Sequence, residues 1–237
     1  AALMSAEAAL RTGAGLVSVA THPAHTAAVL ARRPELMVKG IQAASDLSPL
    51  LARASVVVLG PGLGRGDWSS QVYEAVLAAT HDTEQLIVLD ADGLHFLSLV
   101  PAHRNRWVLT PHPGEASNLL RDKGLEADRF GAVTRLQQKF GGVALLKGVG
   151  TVIHDGEQLT LCSAGNPGMA TAGMGDVLSG VIGGLMAQGL TLSGATRLGV
   201  LVHAMAGDRA ALEAGERGLL ATDLMPHLRA LLNDFHG

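Results

Sequence analysis

Along the chain, short unbroken apolar runs alternate with longer stretches in which apolar and polar residues mix at helical spacing. The runs Leu16–Ala20, Ser55–Leu59, Gln85–Leu89, Arg106–Leu109 and Val143–Leu146 are continuous rather than alternating. They predict strands of a parallel sheet covered on both faces. Between them, Pro23–Arg32, Trp68–Thr80, Gly93–Leu99, Glu115–Leu120 and Arg129–Phe140 predict helices, and the first seventeen residues read as an amphipathic helix. Thr151–His154 and Gln158–Cys162, joined through Asp155-Gly156, predict a hairpin. Beyond Gly175 the pattern is almost wholly helical, over Asp176–Gln188, Ser193–Ala214 and Thr222–Asn233. No repeat, linker or low-complexity tract intervenes. The pattern predicts one doubly wound α/β domain over residues 1–237, with a helical C-terminal third.

Composition narrows the picture. A chain of 237 residues buries an ample core in one domain. Hydrophobic residues make up 48% but aromatics only 3%, so that core is aliphatic. The 30 glycines favour tight turns and close approach of backbone to a ligand. A net charge of −3 without a Lys/Arg-rich run weighs against a nucleic-acid surface. Cys162 stands alone, which excludes an internal disulfide and a cysteine metal cluster and fits a reducing cytoplasm. A lone cysteine is more often a small buried hydrophobe than a nucleophile. The apolar run Val177–Leu190 is too short and Gly-rich to span a membrane. Glu7 and Arg11 set the N-terminal segment apart from a signal peptide, and the start at Ala1 reads as an excerpt or a processed product.

In doubly wound sheets, ligands sit at the carboxyl ends of the strands. Here those ends carry chemistry: Gly60-Pro61-Gly62-Leu63-Gly64, Asp90-Ala91-Asp92-Gly93, Thr110-Pro111-His112-Pro113-Gly114-Glu115, and Lys147-Gly148-Val149-Gly150-Thr151. Gly62 and Gly64 let a ligand touch backbone, or simply make a tight turn. Asp90 and Asp92 offer oxygens to ribose hydroxyls or magnesium waters. The reading favours function for Asp90 and helix capping for Asp92. His112, between two prolines, is either a rigid hydrogen-bonding group or an exposed loop histidine. Glu115 serves a magnesium water or merely favours a helix N-terminus. Lys147 offsets phosphate charge, or opens a hairpin.

The most informative stretch is Asn166–Gly189, in which Gly173-Met174-Gly175-Asp176 opens a long apolar helix. A Gly-rich turn there gathers free N–H groups at the positive end of the helix dipole. Asp176 in the first turn faces the same spot as a general base, the pairing that phosphoryl transfer needs. Alone, Asp near a helix start is more often structural. No Walker P-loop, dinucleotide G-x-G-x-x-G, paired-His zinc motif or G-x-S-x-G elbow is present.

GPGLG at 60–64, LDADGL at 89–94, TPHPGE at 110–115, LLKGVGT at 145–151 and NPGMATAGMGDVLSG at 166–180 together resemble the ADP/ATP-dependent NAD(P)H-hydrate dehydratases of the ribokinase-like superfamily. The resemblance runs from ALRTGAGLVSVAT at 9–21 to the last helices. It implies a ribokinase-like α/β fold, with a central, mostly parallel sheet and helices on both faces. It implies repair of hydrated NADH and NADPH, S epimer: ADP or ATP phosphorylates the 6-hydroxyl, and loss of phosphate restores the dihydronicotinamide. On the matched positions, Asp176 would be the base, and Gly173, Met174 and Gly175 the anion hole. Lys147, Gly148, Val149, Gly150 and Thr151, with Gly175, would hold the adenine nucleotide. Gly64, His112 and Asp176 would contact the hydrated cofactor, with Ala1, Gly62, Asp90 and Asn166 as further substrate-binding candidates. Glu115 would be the Mg2+ ligand.

Two positions depart from the superfamily pattern. Met174 stands where Thr or Ala is common, and His112-Pro113-Gly114-Glu115 replaces the sugar-kinase magnesium motif N-x-x-E. The resemblance also implies a preference for ADP and a cytoplasmic homo-oligomer, a tetramer. Many bacterial members carry a fused N-terminal epimerase domain, so the chain reads as the C-terminal half of a bifunctional protein. The competing readings are a kinase of the same fold acting on a vitamin-precursor alcohol, and a non-catalytic nucleotide-binding module.

Overall fold

The computed structural model describes residues 1–234, so the last three positions of the expected domain lie outside the described residues. In chain order the elements are α1 (Ala2–Thr12), β1 (Ser18–Thr21), α2 (Thr26–Arg32), β2 (Met37–Gly40), α3 (Ser48–Leu51) and β3 (Val56–Leu59). Then come α4 (Asp67–Ala79), β4 (Leu86–Leu89), α5 (Asp92–Leu99), β5 (Trp107–Leu109), α6 (Pro113–Leu120) and α7 (Arg129–Phe140). The rest are β6 (Val143–Leu146), β7 (Thr151–His154), β8 (Leu159–Cys162), α8 (Met174–Ala187), α9 (Leu192–Ala214) and α10 (Leu224–Asp234). Strands β3 to β8 form a six-stranded sheet in sequence order, parallel from β3 to β6 and antiparallel at β7 and β8.

The continuous apolar runs make sense because successive residues face opposite layers. Val88, Val108 and Leu145 pack with α8, α9 and α10, whereas Ile87, Leu89, Leu109 and Leu146 pack with α4 to α7. Close approach of α1 to α8 depends on glycine. A Cβ at Gly180 would fall on the Ser5 carbonyl oxygen, and one at Gly184 would come within 2.9 Å of the Ala9 carbonyl oxygen. This packing sets the N-terminal end of α8, where Asp176 sits, against the start of the chain.

One strand expectation needs correction. The run at Leu16–Ala20 forms β1 over Ser18–Thr21, but outside the main sheet. It pairs in parallel with β2, a strand not anticipated from the pattern. β1 is not covered on both faces, since Ser18 and Ala20 are exposed and only Val19 is buried. Met37-Val38-Lys39-Gly40 gave no apolar run because its residues alternate between exposed and half-buried. Elsewhere α6 starts at Pro113 and α8 at Met174, each two residues ahead of the expected start.

Candidate active site

The carboxyl ends of β3 to β6 and the N-terminus of α8 converge. Lys147, which follows β6, places Nζ 2.8 Å from Asp90 Oδ1 and 3.7 Å from Glu115 Oε2. The Lys147 backbone N–H donates to the Pro111 carbonyl at 2.9 Å, tying the β5 and β6 loops together. Asp90 is buried, and its other oxygen accepts from Ser179 Oγ of α8 at 2.6 Å. A Cβ at Gly175 would come within 3.1 Å of Lys147 Nζ, so a glycine there lets the ammonium reach the helix start.

Gly173, in the left-handed region at φ 93°, takes the cap position of α8, and no side chain caps the helix. Its first internal bond is Val177 N–H to the Gly173 carbonyl at 3.0 Å. The N–H groups of Met174, Gly175 and Asp176 therefore point outward at the positive end of a fourteen-residue helix. Asp176 lies in this first turn, with one carboxylate oxygen 3.9 Å from the Ala1 nitrogen. Burial raises its carboxyl above the usual range. Lys147 opposes that shift, while Asp90 and Asp92 reinforce it. Beneath Met174, His203 of α9 is held neutral: burial pushes it down to about 4, and its Nε2 has no hydrogen-bond partner.

The glycine loop after β3 is anchored by Asp92. Its Oδ2 accepts from Gly64 N–H at 2.9 Å and its Oδ1 from Arg65 Nε at 2.9 Å. Asp92 was expected to cap α5. Instead Ala91 takes the cap position and Asp92 is the first helical residue, its carboxylate turned to the neighbouring loop. Ala91 has φ 47°, a strained backbone for a residue with a Cβ. Gly60 is obligatory, because at φ 123° its Cβ would collide with the Asp90 carbonyl oxygen. Gly62 stands against Ala1, at 3.0 Å between the Ala1 Cβ and the position a Gly62 Cβ would take.

His112 caps α6. Its Nδ1 accepts from Gly114 N–H at 3.0 Å and Glu115 N–H at 3.4 Å, and Glu115 Oε2 accepts from His112 N–H at 2.8 Å. The imidazole remains exposed, with Nε2 3.6 Å from Glu115 Oε1. Asn166 is committed to structure: Oδ1 accepts from Gly168 N–H at 3.0 Å, and Nδ2 donates to Asp208 Oδ1 at 3.0 Å. Gly148, Val149 and Gly150 form an open turn leading into Thr151, the first residue of β7, with Val149 99% exposed.

Sequence reasoning missed Arg129, at the start of α7. Its guanidinium donates to the carbonyls of Val149, Leu146 and Lys147 and so shapes the 147–150 turn. Asp208 was missed as well. Nothing local marks either residue, since each acts on a segment distant in sequence. Among the described residues no three His, Cys, Asp or Glu side chains converge as a metal cage. Glu115 does present a carboxylate to the space in front of Lys147.

Comparison with known proteins places this geometry. The sequence model of a family described as NAD(P)H-hydrate dehydratase matches residues 1–229. A bifunctional NAD(P)H-hydrate repair enzyme of Coxiella burnetii is 57% identical over 233 residues, covering 97% of this chain and 47% of its own. An ADP-dependent (S)-NAD(P)H-hydrate dehydratase of Lactiplantibacillus plantarum is 38% identical over 216 residues, covering 88% of this chain and 76% of its own. An ADP/ATP-dependent NAD(P)H-hydrate dehydratase of Bacillus subtilis, co-crystallised with ATP/Mg2+ and soaked with CoA, aligns with a TM-score of 0.83. That match has 25% identity over 99% of this chain and 87% of the other. The chain spans about half the length of the bifunctional relatives it matches. The fold is ribokinase-like.

Proposed function

Because this chain belongs to the NAD(P)H-hydrate dehydratase family, we propose that it restores NADH and NADPH from their S-epimer hydrates at the expense of ADP or ATP. The observation that carries the reading is Asp176 in the first turn of an uncapped helix, within the field of Lys147. Asp176 takes the proton of the 6-hydroxyl, and that oxygen attacks the terminal phosphorus of the nucleotide. The bond from phosphorus to the departing nucleotide breaks. The N–H groups of Met174, Gly175 and Asp176 receive the charge on the transferred group, and Lys147 offsets it. The ring-nitrogen lone pair then expels phosphate from C6, and a proton lost from C5 completes the dihydronicotinamide. Phosphorylation turns a poor leaving group into a good one, so a kinase fold performs a dehydration.

The open turn at 147–151, shaped by Arg129, supports the adenine nucleotide. Gly62 stands against Ala1, whose nitrogen lies 3.9 Å from Asp176, and this reading assigns the hydrated ring to these residues together with Gly64 and His112. Asp90 acts in this reading through Lys147 and Ser179, and Asn166 through the loop that it anchors to Asp208. Mg2+ fits Glu115 in a water-mediated role, because this ion commonly uses one or two carboxylates with waters and phosphates. The ion supplies charge neutralisation on the phosphates. The name of the L. plantarum relative supports ADP as donor. A fused epimerase domain is part of the reading, supported by the bifunctional names of the longer relatives. So is a cytoplasmic homotetramer, which rests on the family resemblance alone.

The test follows the reduced-nicotinamide absorbance after mixing the protein with hydrated NADH, magnesium and either nucleotide. A nucleotide-dependent rise is expected, larger with ADP. A stable phosphate ester of a vitamin-precursor alcohol, with no rise on hydrated NADH, would replace this reading with the kinase.

A further inference from the structure

Three ring side chains stand in a row at the carboxyl ends of the first strands. His22 follows β1, and Trp68 lies in the first turn of α4, just beyond the glycine loop that follows β3. The Trp68 and His22 rings are 5.9 Å apart between centroids and cross at 79°. The His22 and His25 rings are 6.0 Å apart and cross at 89°. Trp68 Nε1 donates at 3.1 Å to the carbonyl of Ile41, the residue after β2. Ile41 N–H in turn donates at 2.8 Å to the carbonyl of Thr21, the neighbour of His22. A Cβ at Gly40 would come within 3.2 Å of Pro23, so the segment carrying both histidines packs directly on the end of β2. Three separate pieces of chain are thus fastened together around these rings.

The row is not part of the core. His22 and His25 are exposed and Trp68 is half-buried, whereas the other tryptophan, Trp107, is fully buried. His22 Nδ1 accepts from Ala24 N–H at 3.3 Å, so in the neutral ring the proton sits on Nε2. That N–H has no partner among the described residues. Three residues before Trp68, Arg65 commits Nε to Asp92 at 2.9 Å, and its two Nη groups have no partner among the described residues. Asp92 also holds Gly64, and it is close enough to Asp176 to help raise that carboxyl. A short path therefore leads from the rings, past Arg65 and Asp92, to Asp176.

Given the function proposed above, we infer that Trp68, His22 and His25 form the seat for the adenine of the hydrated dinucleotide, with the Arg65 guanidinium on its diphosphate. Two ligands that each carry an adenosine need two seats. The loops of β4 and β5 separate the glycine loop of β3 from the Lys147 turn of β6. The donor nucleotide takes the Lys147 turn, so the adenylate half of the substrate extends the other way, across the β3 loop. Rings set edge to face form steps, and each step offers a flat face beside an edge. An indole stacks on a base, the Nε2–H of His22 donates to an adenine ring nitrogen, and a guanidinium fork matches phosphate oxygens.

The test compares hydrated NADH with hydrated reduced nicotinamide mononucleotide, which lacks the adenylate. The mononucleotide should have the higher KM, by about fivefold or more for the loss of one stacked base. Trp68→Ala should shrink that ratio several-fold, Trp68→Phe should keep most of it, and Arg65→Ala should reduce it. A merely structural tryptophan raises both KM values together, and an unchanged ratio in Trp68→Ala would overturn the seat. Magnetic resonance of the two indole N–H groups reads binding in the unaltered protein without turnover. With ADP saturating the donor turn, added NADH should shift the Trp68 signal and leave Trp107 in place. A Trp68 signal unmoved by NADH, in a protein that turns over hydrated NADH, would overturn the seat and spare the function. No turnover of hydrated NADH with either nucleotide would overturn both.

Discussion

Asp176 is asked to be charged in a place that disfavours charge. Burial, with help from Asp90 and Asp92, lifts its carboxyl above the ordinary value of 3.8, against the pull of Lys147. A raised folded value means that the ionised form costs stability at neutral pH, and that this cost is relieved as pH falls through the raised value. Two results follow. The acid limb of kcat against pH should have its midpoint above 3.8. Asp176→Asn should lower kcat by about 10²- to 10⁴-fold, leave ADP affinity nearly unchanged by calorimetry, and raise the melting temperature. A normal acid limb or a near-normal kcat would remove Asp176 as the base. Asp176 and Lys147 were legible in the sequence because their type and their place beside a strand end or helix start agree. Arg129 and Asp208 were not, since their partners lie 17 to 20 residues away in one case and 42 to 43 in the other.

At the scale of elements, loops carry the site and distant side chains set their shape. Arg129→Ala should let the 147–150 turn relax. The expected outcome is a several-fold rise in KM for ADP with kcat little changed, by steady-state kinetics at saturating hydrated NADH. A fall in kcat alone would mean that Arg129 acts on the chemical step. Gly180→Ala should cost roughly 1–3 kcal/mol in urea unfolding, because the added methyl meets the Ser5 backbone rather than a side chain that can turn away. The four parallel strands of the main sheet were legible from unbroken apolar runs and its antiparallel pair from the Asp155-Gly156 turn, and α7 and β6 fall where their patterns end. β2 was illegible because a half-exposed strand has no apolar run to find. Asp92 misled because an acid at a helix start looks the same whether it caps that helix or reaches another loop.

Across the whole molecule, acid should loosen the fold in two stages. His203 is held by burial at about 4 against an ordinary 6.5, so its contribution is complete above 6.5 and fades as pH falls toward 4. Asp155 comes next. Burial pushes it up, but Ser193, the N–H groups of Gln158 and Glu157, and Arg197 outweigh burial and bring it to about 2. Its contribution is complete above 3.8 and lost as pH falls toward 2. It joins the β7–β8 hairpin to α9, so its protonation releases the sheet edge. In urea titrations across pH, His203→Leu should flatten the upper stage alone and Asp155→Asn the lower stage alone.

Lys147 faces a choice between two partners. Without nucleotide it neutralises Asp90 and lowers the proton affinity of Asp176. Phosphate oxygens that draw it forward weaken both effects, so the base becomes stronger once the donor is seated. Reciprocity then binds the two substrates together: whatever factor nucleotide applies to the affinity for hydrated cofactor, hydrated cofactor applies to the affinity for nucleotide. One ammonium thus makes the site read its two ligands as a pair.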